Sequence, residues 1–108
     1  MQAITEDALL AEVVRRLVET YHPERIYLFG SRARGDHDAE SDYDLMVVVP
    51  DDMPEQQRRG GRAYEALLGL VAPSDVIVIA RSDFEFRSLA RASLPSTVVR
   101  EGTLVYEI

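Results

Sequence analysis

Two acidic residues, Asp42 and Asp44, stand two positions apart at the start of an apolar run that predicts a β-strand. Alternate residues of a strand project from one face, so we expect both carboxylates on the same side of the sheet. Their alpha carbons would lie ~6.5–7 Å apart, and the two charges would repel. A hard cation or the uptake of one proton relieves such repulsion, and oxygen ligands of this kind suit Mg²⁺ or Mn²⁺. The pair is therefore a candidate metal site.

The turn at Gly30-Ser31 is a second candidate site, because it directly follows the apolar segment 25–29. Glycine lets the backbone approach a ligand closely. If a helical turn begins at Arg32, its free N–H groups favour an anion, and Arg32 and Arg34 add positive charge beside it. An anion-binding turn next to a carboxylate pair that binds metal is typical of a nucleoside triphosphate site.

A third acid, Asp75, opens the apolar run 76–79, which predicts another strand. If this strand neighbours the one that begins near Asp42, the acid can approach Asp42 and Asp44. The three carboxylates would then complete a clamp for two metal ions.

Each of these charges also has an ordinary structural explanation when it is taken alone. An isolated Asp-x-Asp pair is usually a solvated turn. Asp75 alone suits a charged strand edge or a helix cap. Arg32 and Arg34 would then be surface charges that pair with Asp36 and Asp38. The spacing of the whole set, and no single member, favours a functional site.

Eight secondary-structure elements are predicted to position these residues, in the order α-β-β-α-β-α-α-β. Apolar residues recur at helical spacing in the first element, and the near-continuous apolar run 43–49 indicates that the second strand is buried on both faces. The order predicts one α/β (α+β) domain over residues 1–108, with helices packed on a small mixed four-stranded sheet. The predicted elements are helix 5–21, strands 25–29 and 43–49, helix 54 to about 71, strand 75–80, helices 82 to about 92 and 95–101, and strand 103–107.

Local signals predict where the helices begin and where they break. Thr5 is a suitable N-cap for the first helix. Ser82 and Glu85 form a capping-box pattern at the start of the helix that follows the third strand. The pair Gly60-Gly61 costs the second long helix about 1 kcal/mol per glycine, so the early part of that helix is expected to fray or break.

Composition narrows the class of protein. The chain has 108 residues, no cysteine and a net charge of −7, and all 12 of its basic residues are arginines. Disulfides, zinc thiolate sites, cysteine nucleophiles and lysine Schiff bases are thereby excluded. The acidic balance argues against direct binding of nucleic acid. Without an apolar run of ~20 residues or a basic start, no membrane span or signal peptide is expected, which favours a cytoplasmic protein.

The candidate residues together resemble the minimal branch of the nucleotidyltransferase superfamily related to DNA polymerase beta. The family pattern is Gly-Ser, ten residues, Asp-x-Asp, and later a third acid that opens a strand. Gly30-Ser31, the ten residues 32–41, Asp42-Tyr43-Asp44 and Asp75 match it. A longer form of the pattern is also met, by Ala33, Arg34, Gly35, Ser41 and Leu45. The resemblance extends over nearly the whole chain, including its ending at 100–107.

This resemblance implies a mixed-sheet fold and transfer of a nucleotide from an NTP, most simply AMP from ATP, with release of pyrophosphate. Mg²⁺ or Mn²⁺ is the implied cofactor, held by Asp42, Asp44 and Asp75, which are also the implied catalytic residues. The implied nucleotide-binding residues are Gly30 and Ser31, at the terminal phosphates, together with Arg32 and Arg34.

The resemblance also suggests a partner, because the chain carries no added domain for an acceptor. Minimal members resemble antitoxins encoded beside small all-helical HEPN-type ribonuclease toxins, and they attach AMP to a toxin tyrosine. Two alternatives remain: an antitoxin that acts by binding alone, and an adenylyltransferase for a small hydroxylated molecule such as an aminoglycoside. The intact acidic residues argue against the first, and the lack of a substrate domain argues against the second.

Overall fold

The fold is built on a four-stranded mixed sheet with helices on both faces. The computed structural model describes residues 7–35, 41–59 and 61–108. Its strands are β1 (Arg25–Phe29), β2 (Tyr43–Val49), β3 (Ser74–Ala80) and β4 (Thr103–Glu107). Its helices are α1 (Ala8–Tyr21), α2 (Ser31–Arg34), α3 (Gly61–Ala66), α4 (Arg81–Ser88) and α5 (Leu94–Glu101), with a 3₁₀ turn at Glu55–Arg58. The α/β (α+β) class predicted from the element order is confirmed.

The strands lie in the order β3-β2-β1-β4. β1 runs antiparallel to both β2 and β4, whereas β2 and β3 are parallel. The register places Asp44 of β2 between Phe29 of β1 and Asp75 of β3. The second and third strands are therefore neighbours, which is the condition under which Asp75 was expected to approach Asp42 and Asp44, and their pairing brings two acids side by side.

The two faces of the sheet bury different sets of apolar side chains, because alternate residues of β2 point to opposite faces. One face packs against α1 and α3, and the other packs against α4 and α5. The first face uses Tyr43, Leu45, Val47 and Val49 of β2. The second uses Met46 and Val48, with Phe84 of α4 and Val98 of α5. Burial of β2 on both faces agrees with its continuous apolar sequence.

Helix α1 begins at Ala8, and its N-cap is Asp7, whose Oδ1 accepts the N–H groups of Leu9 (3.0 Å) and Leu10 (3.1 Å). The predicted start at Thr5 lies outside the described residues. In the part of the chain that the structure describes, no helix has both the length and the apolar composition that crossing a membrane requires.

The segment between β2 and β3 departs from the predicted single helix over 54–71. It forms the 3₁₀ turn Glu55–Arg58 and then the short α3, which ends at Ala66. The chain then turns through Gly69, whose φ of +89° is a left-handed conformation that glycine adopts readily. The predicted helix was thus wrong in length, although the predicted break agrees with the gap between the two short helices.

The capping box predicted at Ser82 and Glu85 is wrong. Helix α4 begins one residue earlier, after Ala80, and no side chain of its own caps it. The Ser82 N–H is instead bound by Asp51 Oδ1 (2.9 Å), which reaches it from the turn after β2. The helix also ends at Ser88, short of the predicted residue 92. The start of α4 is therefore capped by Asp51, from a distant part of the chain, and not by a side chain next to the helix.

Candidate active site

The acidic residues meet at the edge where β2 and β3 begin. Asp44 and Asp75 are register partners in neighbouring parallel strands, which are typically ~4.8 Å apart, and partnered side chains project from the same face. This is the face of Met46 and Val48, toward α4 and α5. Asp42 lies two residues before Asp44, at the entry to β2. The three acids expected from the sequence to converge are therefore neighbours.

The electrostatics of Asp44 reflect this crowding. The side chain is half-buried, and burial raises its pKa; the negative charges of Asp75 and then Asp42 raise the pKa further. The positive charge of Arg34 acts in the opposite direction and lowers the pKa of Asp44. The site therefore favours whatever neutralises its negative charge, whether a proton or a cation.

Gly30 lies against Asp44, and both this contact and the backbone conformation of Gly30 require a glycine. Its φ is +74° and its ψ is −155°, a combination that is essentially restricted to glycine. A Cβ atom at this position would overlap Asp44 Oδ2. Two separate constraints thus require a glycine where β1 passes into α2. Ser31 is the first residue of α2, next to this contact.

The two arginines of this turn behave differently. Arg34 is exposed, and its charge acts on Asp44. Arg32 instead donates from Nε to the Ser41 carbonyl oxygen (2.9 Å), and its guanidinium lies 4.2 Å from the centre of the Tyr43 ring. The structure therefore brings Arg34 toward the acids and places Arg32 against the backbone that leads into them. No local sequence pattern indicates the Tyr43 contact, because it depends on how α2 packs beside the first residue of β2.

A groove of about 780 Å³ opens beside the acids. It is lined by residues 63–64 and 67–76 together with Asp42, and among these described residues the charged members are Asp42 and Asp75. Most of the remaining lining is apolar. Tyr64, Leu68 and Val71 are 72%, 56% and 90% exposed. The sequence does not indicate this surface, because the helix predicted to run to about residue 71 placed these apolar residues on a helix and not along a groove.

Metal binding by the protein alone is not complete here. Over residues 7–35, 41–59 and 61–108, no three Asp, Glu or His side chains form a group that could hold an ion. Asp42, Asp44 and Asp75 nevertheless supply oxygen donors from adjoining backbone segments, and burial followed by the charges of Asp75 and Asp42 raises the pKa of Asp44. This donor set suits a hard divalent cation whose remaining ligands come from phosphate oxygens or water.

Comparisons with known proteins identify the family of this chain and relatives of its fold. A family model described as a nucleotidyltransferase domain matches residues 9–105. The fold is similar to a proposed nucleotidyltransferase from Sulfolobus solfataricus, with 22% identity, a TM-score of 0.61, and coverage of 92% of this chain and 78% of that one. It is also similar to a toxin-antitoxin structure with AMP-PNP, with 20% identity, a TM-score of 0.62, and coverage of 90% and 72%. No curated protein matches the sequence.

Proposed function

Because the chain belongs to the nucleotidyltransferase family, we propose that it transfers AMP from ATP to a hydroxyl group and releases pyrophosphate. The observation that carries this proposal is the placement of Asp44 directly beside Asp75, with Gly30 against the same carboxylate. Paired acids next to a glycine turn can hold the phosphates of a nucleotide only through cations, because bare carboxylates would repel them.

We assign the divalent cation, Mg²⁺ or Mn²⁺, to Asp42, Asp44 and Asp75. When bound, such a cation neutralises charge on the phosphates and on the leaving pyrophosphate. Gly30 lets the backbone approach the terminal phosphates, and Ser31 lies beside it. Arg34 adds positive charge on the same side. Asp75 then orients the attacking hydroxyl, because it belongs to β3, on the other side of β2 from the Gly30 turn.

The order of the strands supports a direction for the reaction. Gly30 and Ser31 follow β1 on one side of β2, whereas Asp75 belongs to β3 on the other side. In phosphoryl-type transfer the attacking and leaving oxygens lie roughly in line across phosphorus. Pyrophosphate beside Gly30 therefore places the acceptor hydroxyl toward β3, where the groove opens.

The proposed acceptor is a tyrosine of a small all-helical HEPN-type toxin, which makes this chain an antitoxin. One support is the fold similarity to a toxin-antitoxin structure with AMP-PNP. A second is the groove itself, whose described lining is mostly apolar and includes no arginine. Such a surface suits an apolar protein segment that carries a hydroxyl better than it suits a nucleic-acid end, which would require cations at its phosphates.

The test mixes the chain with Mg²⁺, ATP and an all-helical protein encoded by the neighbouring reading frame. Intact mass spectrometry should show the mass of one or more AMP groups added to that protein. Asp44→Asn should abolish the addition. Neutralisation of the partner without any change in mass would indicate sequestration alone, and labelling of an aminoglycoside in its place would indicate a small-molecule enzyme.

A further inference from the structure

Tyr43 separates the two acids of the Asp-x-Asp pair, and its side chain takes the opposite face of the sheet. It is 3% exposed and belongs to the core beneath α1, whereas Asp44 faces α4 and α5. The Tyr43 hydroxyl donates a hydrogen bond to Asp7 Oδ2 (2.9 Å). This hydrogen bond therefore links the Tyr43 side chain to the start of α1.

Asp7 connects two elements with one carboxylate. Its Oδ1 caps α1 through the Leu9 and Leu10 N–H groups, while its Oδ2 accepts from Tyr43. Burial alone would raise the pKa of Asp7, but the hydrogen bonds from Leu10, Tyr43 and Leu9 and the charge of Arg32 outweigh it and lower the pKa. The carboxylate is thus held in its ionised, accepting form.

Arg32 connects residues 41–43 to the turn at Gly30-Ser31. It belongs to α2, directly after Gly30-Ser31, and donates to the Ser41 carbonyl next to Asp42. Its guanidinium also lies over the Tyr43 ring. A further hydrogen bond, from the Tyr43 N–H to the Pro73 carbonyl oxygen (2.9 Å), fixes the strand end from the β3 side.

We propose that Asp7, Tyr43 and Arg32 are positioning residues that hold the backbone at 41–44 so that Asp42 and Asp44 face the metal and nucleotide. The proposal rests on the proposed function of that site. A strand end tends to fray, and the like charges of register partners Asp44 and Asp75 disfavour close pairing at this end. Contacts on the opposite face oppose both effects without touching the substrate. Since an alternating strand cannot turn one residue alone, the orientation of Tyr43 sets that of both acids.

The sharpest variant is Asp7→Ser, because it separates the two roles of Asp7. Serine is a good N-cap, so α1 keeps its start. Its shorter side chain cannot also reach the Tyr43 hydroxyl. Tyr43→Phe removes the same hydrogen bond from the other side and keeps the ring under Arg32. Tyr21→Phe is the matched control, since Tyr21 is 1% exposed and its hydroxyl, which lies near the Ala63 backbone, makes no hydrogen bond of full geometry among the described residues.

Calorimetry measures the affinity for ATP in Mg²⁺ and in EDTA. We expect Asp7→Ser and Tyr43→Phe each to weaken Mg²⁺-dependent ATP binding by about tenfold, since small misplacements of site groups have effects of this size or larger. Binding in EDTA and the melting temperature should change little. The double variant should be no worse than either single one, because both remove one interaction. Tyr21→Phe should bind as the wild type does.

Amide hydrogen exchange at residues 42–44 provides a readout that does not depend on nucleotide binding. Exchange should be faster in Asp7→Ser and Tyr43→Phe and unchanged in Tyr21→Phe. Unchanged exchange would overturn the proposal, and so would faster exchange with wild-type Mg²⁺-dependent affinity. A wild-type chain that binds ATP equally in Mg²⁺ and EDTA would instead contradict the proposed function, which is a distinguishable failure.

Discussion

Strand β2 has aspartates near both ends, and Asp44 at the start differs from Asp51 after the end in burial and in the direction of its pKa shift. Asp44, at the start, is half-buried beside other acids, and burial and those charges raise its pKa. Asp51, in the turn after the strand, is exposed, and the hydrogen bond from the Ser82 N–H lowers its pKa. The surrounding fold disfavours the ionised form of Asp44 and favours the ionised form of Asp51.

The difference shows that stability and the candidate site depend on different parts of β2. Between the two ends, residues 45–49 are almost fully buried and anchor the strand in both layers of the core. That anchoring permits unfavourable charge at the first end, where a ligand can reach it. Active sites commonly hold such destabilising groups. The second end has ordinary turn chemistry and a contact that supports α4.

The largest expected effect is that of Asp44→Asn on catalysis. We expect the rate of AMP transfer to fall by roughly 10³-fold or more, since a metal ligand contributes several kcal/mol of charge stabilisation. Stability should be unchanged or higher, because a repelled charge is removed. Mass spectrometry of the acceptor measures the transfer, and thermal melting measures the stability.

Asp51→Asn is the control for that variant at the other end of β2. It removes the same charge and keeps an oxygen acceptor for Ser82, so transfer should proceed at the wild-type rate. Full transfer by Asp44→Asn would show that Asp44 is not a metal ligand.

The buried middle of β2 should give the opposite pattern to Asp44. Val47 is fully buried, and Val47→Ala removes apolar contact and leaves a cavity. The free energy of unfolding should fall by about 2–3 kcal/mol. Denaturant titration measures that loss, and calorimetry should show unchanged affinity for ATP in Mg²⁺. A large loss of affinity at matched folding would mean that the two regions of the strand are not separable.

Gly30→Ala tests the contact between the glycine turn and Asp44. The backbone strain should lower the free energy of unfolding by about 1–3 kcal/mol. The new Cβ would also displace Asp44, so Mg²⁺-dependent ATP binding should weaken.

Gly35→Ala is the matched control for that contact. Its φ is +83°, but apart from its chain neighbours no atom of the described residues lies within 4 Å of the added Cβ. It should therefore carry a smaller strain, because its ψ of 6° places it in the left-handed helical region that other residues can adopt, and it should keep its affinity for ATP. Equal losses of affinity in both variants would assign the effect to strain and not to Asp44.

Most of the sheet could be predicted because its signals are local. All four strands lie within one residue of their predicted bounds, since apolar runs between turn residues are sufficient to identify them. The adjacency of Asp44 and Asp75 followed once β2 and β3 were assumed to be neighbours. The acids, however, remain site predictions, because no bound ligand tests them.

The remaining features depend on contacts between distant segments. Asp51 caps α4 from 31 positions away, so the nearer Ser82 pattern was misleading. The contact of Arg32 with Tyr43 likewise joins α2 to the first residue of a strand that is not its neighbour in the chain. A single sequence contains no local sign of either, which is why helix ends and arginine partners were the weakest predictions.

The smallest expected effect concerns the favoured aspartate, Asp51. Its pKa is lowered first by the Ser82 N–H, then by its bond with the Ser82 side chain and by nearby arginines, against the effect of burial. A carboxyl whose folded pKa is lowered stabilises the folded state at any pH above its unfolded pKa of ~3.9, and that contribution is lost as the pH falls through the folded pKa. Asp51→Ala should therefore reduce the melting temperature slightly at pH 7 and progressively less below pH ~3.9.

The neighbouring Asp52→Ala is the control, because it removes an equal charge and should leave the melting temperature nearly unchanged at pH 7 and below pH ~3.9. Thermal melts of the three proteins across pH 2–7 measure the difference. If Asp51→Ala shows the same loss at pH 2, the hydrogen bond to Ser82 does not depend on the charge of Asp51, and the contrast between the two ends of β2 is one of packing alone.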